Sequence, residues 1–153
     1  MKQSIVITLA FVATFSLGFA FKTIVTTNTT MKKVTGIGGI FFKCNDPKKM
    51  NEWYAKNLGL PVSDYGTIFT WRTSEDPTKE GQTVWSPFAK DTDYFEPSKK
   101  DFMINYRVEN IEKLVEELKK DGVTIIDEIK TYDYGKFVHI LDPEGNSIEL
   151  WEE

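Results

Sequence analysis

The chain has 153 residues, 41% of them hydrophobic and 14% aromatic, with a net charge of −4, one Cys and one His. This composition fits one globular domain, offers no basic block to a nucleic-acid backbone, and leaves the single Cys44 without an internal disulfide partner. One imidazole excludes HExxH zinc hydrolysis and two-His, one-carboxylate iron sites built within one chain.

The charge is unevenly placed. Residues 1–33 hold Lys2, Lys22, Lys32 and Lys33 and no acid, so residues 34–153 carry −8. After Lys2 an apolar run extends from Ile5 to Phe21, and Gly18-Phe19-Ala20 supplies a small-x-small cleavage pattern, so residues 1–20 read as a secretory signal. Two alternatives stay open. Ser4 to Phe21, bounded by Lys2 and Lys22, reaches the lower length limit of a membrane anchor, and Met31-Lys32-Lys33 looks like a translation start directly before the domain. The Thr-rich residues 21–33 read as a polar tether. Signal or anchor implies an exported domain, periplasmic or membrane-tethered; a start at Met31 implies a cytoplasmic one.

From residue 34 the chain repeats itself. Phe42-Lys43-Cys44-Asn45-Asp46, leading into Pro47 to Asn57, matches Tyr106-Arg107-Val108-Glu109-Asn110, leading into Ile111 to Asp121, at a constant offset of 64. In each copy an apolar strand ends at Asp46 or Asn110, both good helix N-caps, and Pro47 suits the first helical position. Met50, Trp53, Tyr54 and Leu58 form one apolar stripe, and Ile111, Leu114, Val115 and Leu118 another. Gly59 and Gly122 sit where a helix ends in left-handed backbone. Beyond them Gly66 to Trp71 parallels Gly135 to Ile140, and Gly81 to Trp85 parallels Gly145 to Glu149. Each unit therefore reads strand, helix, strand, strand, strand. The modules cover about 34–88 and 101–153 and are expected to share one curved mixed sheet of the α+β class, with helices on one face and a cleft on the other. Thr73 to Glu80 and Ala89 to Lys100 are the longest loops, where ligand contacts tend to gather.

The sequence resembles the vicinal oxygen chelate superfamily, the glyoxalase, bleomycin-resistance and extradiol-dioxygenase-like proteins. The resemblance rests on Gly36 to Asp46, on Trp53-Tyr54 with Leu58-Gly59-Leu60, on Tyr106-Arg107-Val108, and above all on Leu141-Asp142-Pro143-Glu144-Gly145-Asn146-Ser147-Ile148-Glu149-Leu150. It implies paired βαβββ modules, a homodimer, and, in the family's enzymes, a metal held in the cleft by first-strand and last-strand residues. Those positions fall on Gly39, Met103 and Glu149 and, by the offset of 64, on Trp85. Only Glu149 is a metal ligand, whereas such sites need three or four N, O or S donors. The expectation is therefore no metal and no other cofactor.

With Glu149 facing the cleft, strand alternation sends Gly39, Phe41 and Lys43, and Met103, Asn105 and Arg107, to the same side. Ile40, Phe42, Cys44, Ile104, Tyr106 and Val108 go to the helix-covered side. The expected cleft contains Phe41, Trp85, Met103, Asn105, Phe137, His139 and Glu149, with Lys43 and Arg107 as rim charges. Apolar walls with a few polar groups describe a small-molecule site, and the domain's −8 favours cationic or neutral ligands. The leading reading is a metal-free binder of a small organic molecule. The alternative is a glyoxalase-like lyase or a metal-independent isomerase, with Glu149 and His139 as candidate catalytic residues. A third reading has Trp85 and the Tyr94-Phe95 loop forming a protein interface.

Overall fold

The computed structural model describes residues 33–153, so the signal-or-anchor segment and all but the last residue of the tether lie outside the described residues. The first module comprises β1 (Val34–Cys44), α1 (Pro47–Leu58), β2 (Thr67–Arg72) and β3 (Glu80–Ala89). The second comprises β4 (Phe102–Val108), α2 (Ile111–Lys120), β5 (Thr124–Ile125), β6 (Lys130–Tyr132), β7 (Gly135–Leu141) and β8 (Ser147–Glu152). All eight strands join one open mixed sheet in the order β2-β3-β1-β4-β8-β7-β5, with β6 paired to β7. The α+β arrangement expected from the repeat is therefore present, with one difference. Where the second module has β5, the first has only an isolated bridge between Ser63 and Gly66, because Leu60-Pro61 leaves too short a run for a ladder.

The helices form where the capping chemistry places them. The Asp46 carboxylate accepts the Lys49 N–H at 3.0 Å, Pro47 opens α1, and Gly59 closes it at φ 69°. Asn110 caps α2 and is itself left-handed at φ 56°, a conformation asparagine tolerates. Glu152 of β8 accepts the Asn110 and Ile111 N–H groups at 2.6 and 3.2 Å, which ties the helix start to the sheet.

Only α2 covers its sheet well. Ile111, Leu114 and Val115 are buried against Val108, Val138, Ile140 and Leu150, with Tyr106 and Ile148 packed alongside. That is the strand parity expected from the sequence. The only buried residue of α1 is Asn51, held by its side-chain amide to the Ser63 carbonyl at 3.1 Å. Trp53 is 53% exposed, and Ile40, expected under the helix, is 41% exposed. The first helix touches the sheet mainly through Tyr54, whose ring lies 4.5 Å from that of Trp85.

Candidate functional site

Glu149 is the centre of the concave face. It is 1% exposed and pairs across the sheet with Asn105 on β4 and His139 on β7. Opposed residues of neighbouring strands point to one side, so three polar groups converge. The Asn105 amide donates to Glu149 Oε2 at 2.5 Å, and the Tyr94 hydroxyl, from the loop after β3, donates to Glu149 Oε1. His139 Nε2 lies 3.2 Å from the same Oε1, an ion-pair contact outside hydrogen-bond alignment. On its other side His139 Nδ1 is 2.9 Å from Asp127 Oδ2, and the His139 N–H donates to Asp127 Oδ1 at 2.7 Å.

The electrostatics follow from this chain of groups. Burial alone would lower the pKa of His139, but Glu149 and Asp127 outweigh it and hold the imidazole above its ordinary value. Burial likewise opposes ionisation of Asp127, yet the His139 backbone N–H, the His139 ring and Lys130 keep its carboxyl below the usual range. Tyr94 is pushed far up, first by burial and then by the Glu149 carboxylate. Its phenol therefore stays a donor. The set is an imidazole held between the Asp127 and Glu149 side chains, the second of which is closed over by Tyr94.

The concave face is divided by what lies beside this set. Towards the first module, Phe41, Phe95 and Met103 form a buried cluster with Val84 and Phe88 packed against it. Phe95 is fully buried, its carbonyl accepting the Ser147 hydroxyl at 2.8 Å, and Lys43 Nζ lies 5.3 Å from the ring centroid. Towards the second module an open pocket of about 200 Å³ remains, lined by Tyr94, Asp127, Lys130, Tyr132, Tyr134, Phe137 and His139. Phe137 stacks on Trp151 at 6.0 Å, and Arg107 lies between Trp151 and Trp71, its guanidinium carbon 5.1 and 5.6 Å from their rings.

A sequence profile of the Glyoxalase/Bleomycin resistance protein/Dioxygenase superfamily matches residues 36–150, nearly the whole described fold. The chain belongs to this superfamily. Solved structures similar to it include the Streptomyces coelicolor methylmalonyl-CoA epimerase in complex with 2-nitronate-propionyl-CoA, at 15% identity over 78% of this chain and 98% of that one, with a TM-score of 0.58. The methylmalonyl-CoA epimerase of Mycobacterium tuberculosis is similar at 20% identity, 78% and 88% coverage and a TM-score of 0.50. These identities show the shared fold. No curated protein matches the sequence.

Set on this superfamily fold, the expected cleft residues separate into three groups. Asn105, His139 and Glu149 converge as polar groups, and Phe137 joins His139 in the open pocket. Phe41 and Met103 do face the cleft, but Phe95 covers them, so they line a filled core and not an open wall. Trp85 is a correction. It packs against Phe42 at 5.2 Å and against Tyr54 of α1, on the helix side. The physical reason is register: Phe41 pairs with Ser86, as its repeat counterpart Asn105 pairs with Glu149. Ser86, one residue past the position given by the 64-residue offset, is thus the counterpart of Glu149, and a slip of one residue reverses the face. In the Tyr94-Phe95 loop, Phe95 is interior and so corrected, whereas Tyr94 keeps 41% of its surface exposed. Arg107, expected as a rim charge, is instead largely enclosed between two tryptophans and donates through both terminal guanidinium nitrogens to the Glu153 carboxylate at 2.6 and 2.7 Å.

Sequence reasoning missed Tyr94, Asp127, Lys130, Tyr132 and Tyr134 as pocket residues. The aromatic density of Thr131-Tyr132-Asp133-Tyr134-Gly135, next to a strand already assigned to the cleft, was the available signal. Asp127 carried none, because only the pairing of its segment with β7 brings it to His139.

Proposed function

We propose that this protein binds a small organic molecule, without a metal ion, in the aromatic pocket over His139. The observation that carries the reading is the pocket itself: tyrosine and phenylalanine rings around a few fixed polar groups, the composition of small-molecule sites. Its floor is pre-organised, since Asp127 hydrogen-bonds one side of the imidazole and the Glu149 carboxyl lies 3.2 Å from the other.

The donor chemistry argues for metal independence. The positions that would surround an ion are Gly39, Ser86, Met103 and Glu149, and both Glu149 oxygens already accept hydrogen bonds. A Cβ on Gly39 would come within 2.6 Å of the Phe41 ring, so packing opposes a larger ligand side chain there. Among the described residues no three His, Cys, Asp or Glu side chains are grouped to hold a metal. A metal centre does not fit these residues.

The second reading, a metal-independent isomerase or lyase, is favoured by the Asp127–His139–Glu149 series. His139 can hold a proton beside a bound molecule, with Glu149 taking part only through it. The epimerase names of the fold neighbours suggest proton transfer as the reaction class.

Thermal-shift screening of the full chain against a small-molecule panel, before and after dialysis with EDTA, tests the binding reading. Shifts that survive EDTA and vanish in Phe137→Ala support it; a stoichiometric metal whose removal abolishes binding overturns it. Glu149→Gln separates the two readings. A binder keeps its affinity for neutral ligands, whereas an enzyme using the carboxylate loses several powers of ten in rate.

A further inference from the structure

The charged groups around the pocket are already matched. Lys130 Nζ is 3.4 Å from Asp127 Oδ2, His139 Nδ1 is 2.9 Å from the same oxygen, and His139 Nε2 is 3.2 Å from Glu149 Oε1. Each of these groups therefore already faces a partner within the protein. An ionic group entering here finds no unpaired counter-charge, so it loses its hydration and gains a partner only by breaking an existing pair.

The walls set shape and size. Tyr132 and Tyr134 stack with centroids 5.3 Å apart and planes tilted by 2°, and both meet Phe137 edge-on, at 5.9 and 5.6 Å. Tyr134 is 67% exposed and Tyr132 48%, leaving apolar ring surface for a ligand to cover. The volume of about 200 Å³ lies below the roughly 300 Å³ at which pockets for drug-sized ligands begin. It is nearer the scale of an apolar cavity of ~150 Å³ that accommodates benzene.

We propose that the pocket over His139 selects uncharged, planar compounds of one or two rings, held by stacking and edge contacts with Tyr132, Tyr134 and Phe137. This rests on the binding reading and narrows its ligand class. It also separates the pocket from the domain as a whole, whose excess of acids draws cations from a distance without giving them a partner at the site.

Isothermal titration of the full chain at neutral pH with four probes tests the proposal: indole, phenol, benzoate and benzyltrimethylammonium. Indole and phenol are expected to bind at least ten-fold more tightly than the two ions. Tyr134→Ala should weaken indole several-fold without shifting the melting temperature, because that ring is largely exposed. Lys130→Gln removes one positive charge from the site and should move the preference between the two ions towards benzyltrimethylammonium. Either ion binding as tightly as indole, and still sensitive to Tyr134→Ala, overturns the selectivity while leaving the binding reading intact. If none of the four binds and every hit from the panel is indifferent to both Tyr134→Ala and Phe137→Ala, both fail.

Discussion

The two modules build around buried apolar clusters that lie on opposite faces of one sheet. In the second, Ile111, Leu114 and Val115 seal α2 onto the convex side, and the concave side stays open as a pocket over His139. In the first, α1 buries only Asn51, while Phe41 of β1, covered by Phe95 from the connecting loop and flanked by Met103 of the neighbouring β4, closes the concave side. A gene-level repeat has thus diverged into a half that supports itself from outside and a half that supports itself from inside. In this chain the open pocket lies in the half whose core is supplied by its helix.

That contrast can be broken by truncation. Phe95→Ala is expected to cost about 4 kcal/mol, since it empties the middle of the closed half, and Leu114→Ala about 3 kcal/mol, since it empties the α2 core. Trp53→Ala, on the exposed stripe of α1, should stay within about 0.5 kcal/mol of wild type. Urea unfolding of the three variants decides the matter: a Trp53→Ala loss as large as that of Leu114→Ala would mean that α1 is a core helix after all.

A smaller effect sharpens the same contrast at Gly39. Gly39→Ala should destabilise by about 1–3 kcal/mol through overpacking against Phe41. Gly39→His should gain no stability on adding zinc, because the closed half has no room for a coordinated ion. Zinc-dependent stabilisation of Gly39→His in a melting experiment would show that the closed half does have room for an ion.

The sequence carried most of this organisation for reasons that can be stated residue by residue. Asp46, Pro47, Gly59, Asn110 and Gly122 mark helix ends by local backbone chemistry, which a sequence states directly. The alternation of Met103, Asn105 and Arg107 with Ile104, Tyr106 and Val108 gave the faces of β4, and the family motif gave Glu149. What failed was non-local. The face of Trp85 depends on a register one residue away from the repeat offset, and β1 carries two irregularities in its pairing with β4 that no local signal announces. The openness of the cleft depended on where Phe95 goes, and a loop aromatic does not disclose whether it points in or out. Asp127 belongs to the site only because Ile126 bonds to the His139 carbonyl at 2.8 Å, a contact between segments that are not adjacent in sequence.

The polar set of the open half makes a further, milder prediction in pH. The folded-state pKa of His139 is raised above 6.5, so its contribution to stability is complete below that value and is lost as pH rises through the folded pKa. The folded-state pKa of Asp127 is depressed below 3.8, so its contribution is present above that value and is lost as pH falls through the folded one. Denaturation midpoints measured across the range should fall towards alkaline pH in the wild type and less so in His139→Gln. Identical profiles for the two proteins would show that the fold leaves the imidazole pKa unchanged, and a wild-type midpoint that rises with pH relative to His139→Gln would show that the imidazole is held neutral.

The position of β8 bears on how the protein is made. This strand is the last in sequence order, yet it lies between β4 and β7, and its Glu152 caps α2. A chain emerging from the ribosome can pair β1, β3 and β4 while synthesis continues. The second half of the sheet closes only when β8 arrives, so until then one flank of β4 presents unpaired backbone to any other nascent chain. The half that holds the pocket is therefore the half whose biogenesis is most exposed to misassembly.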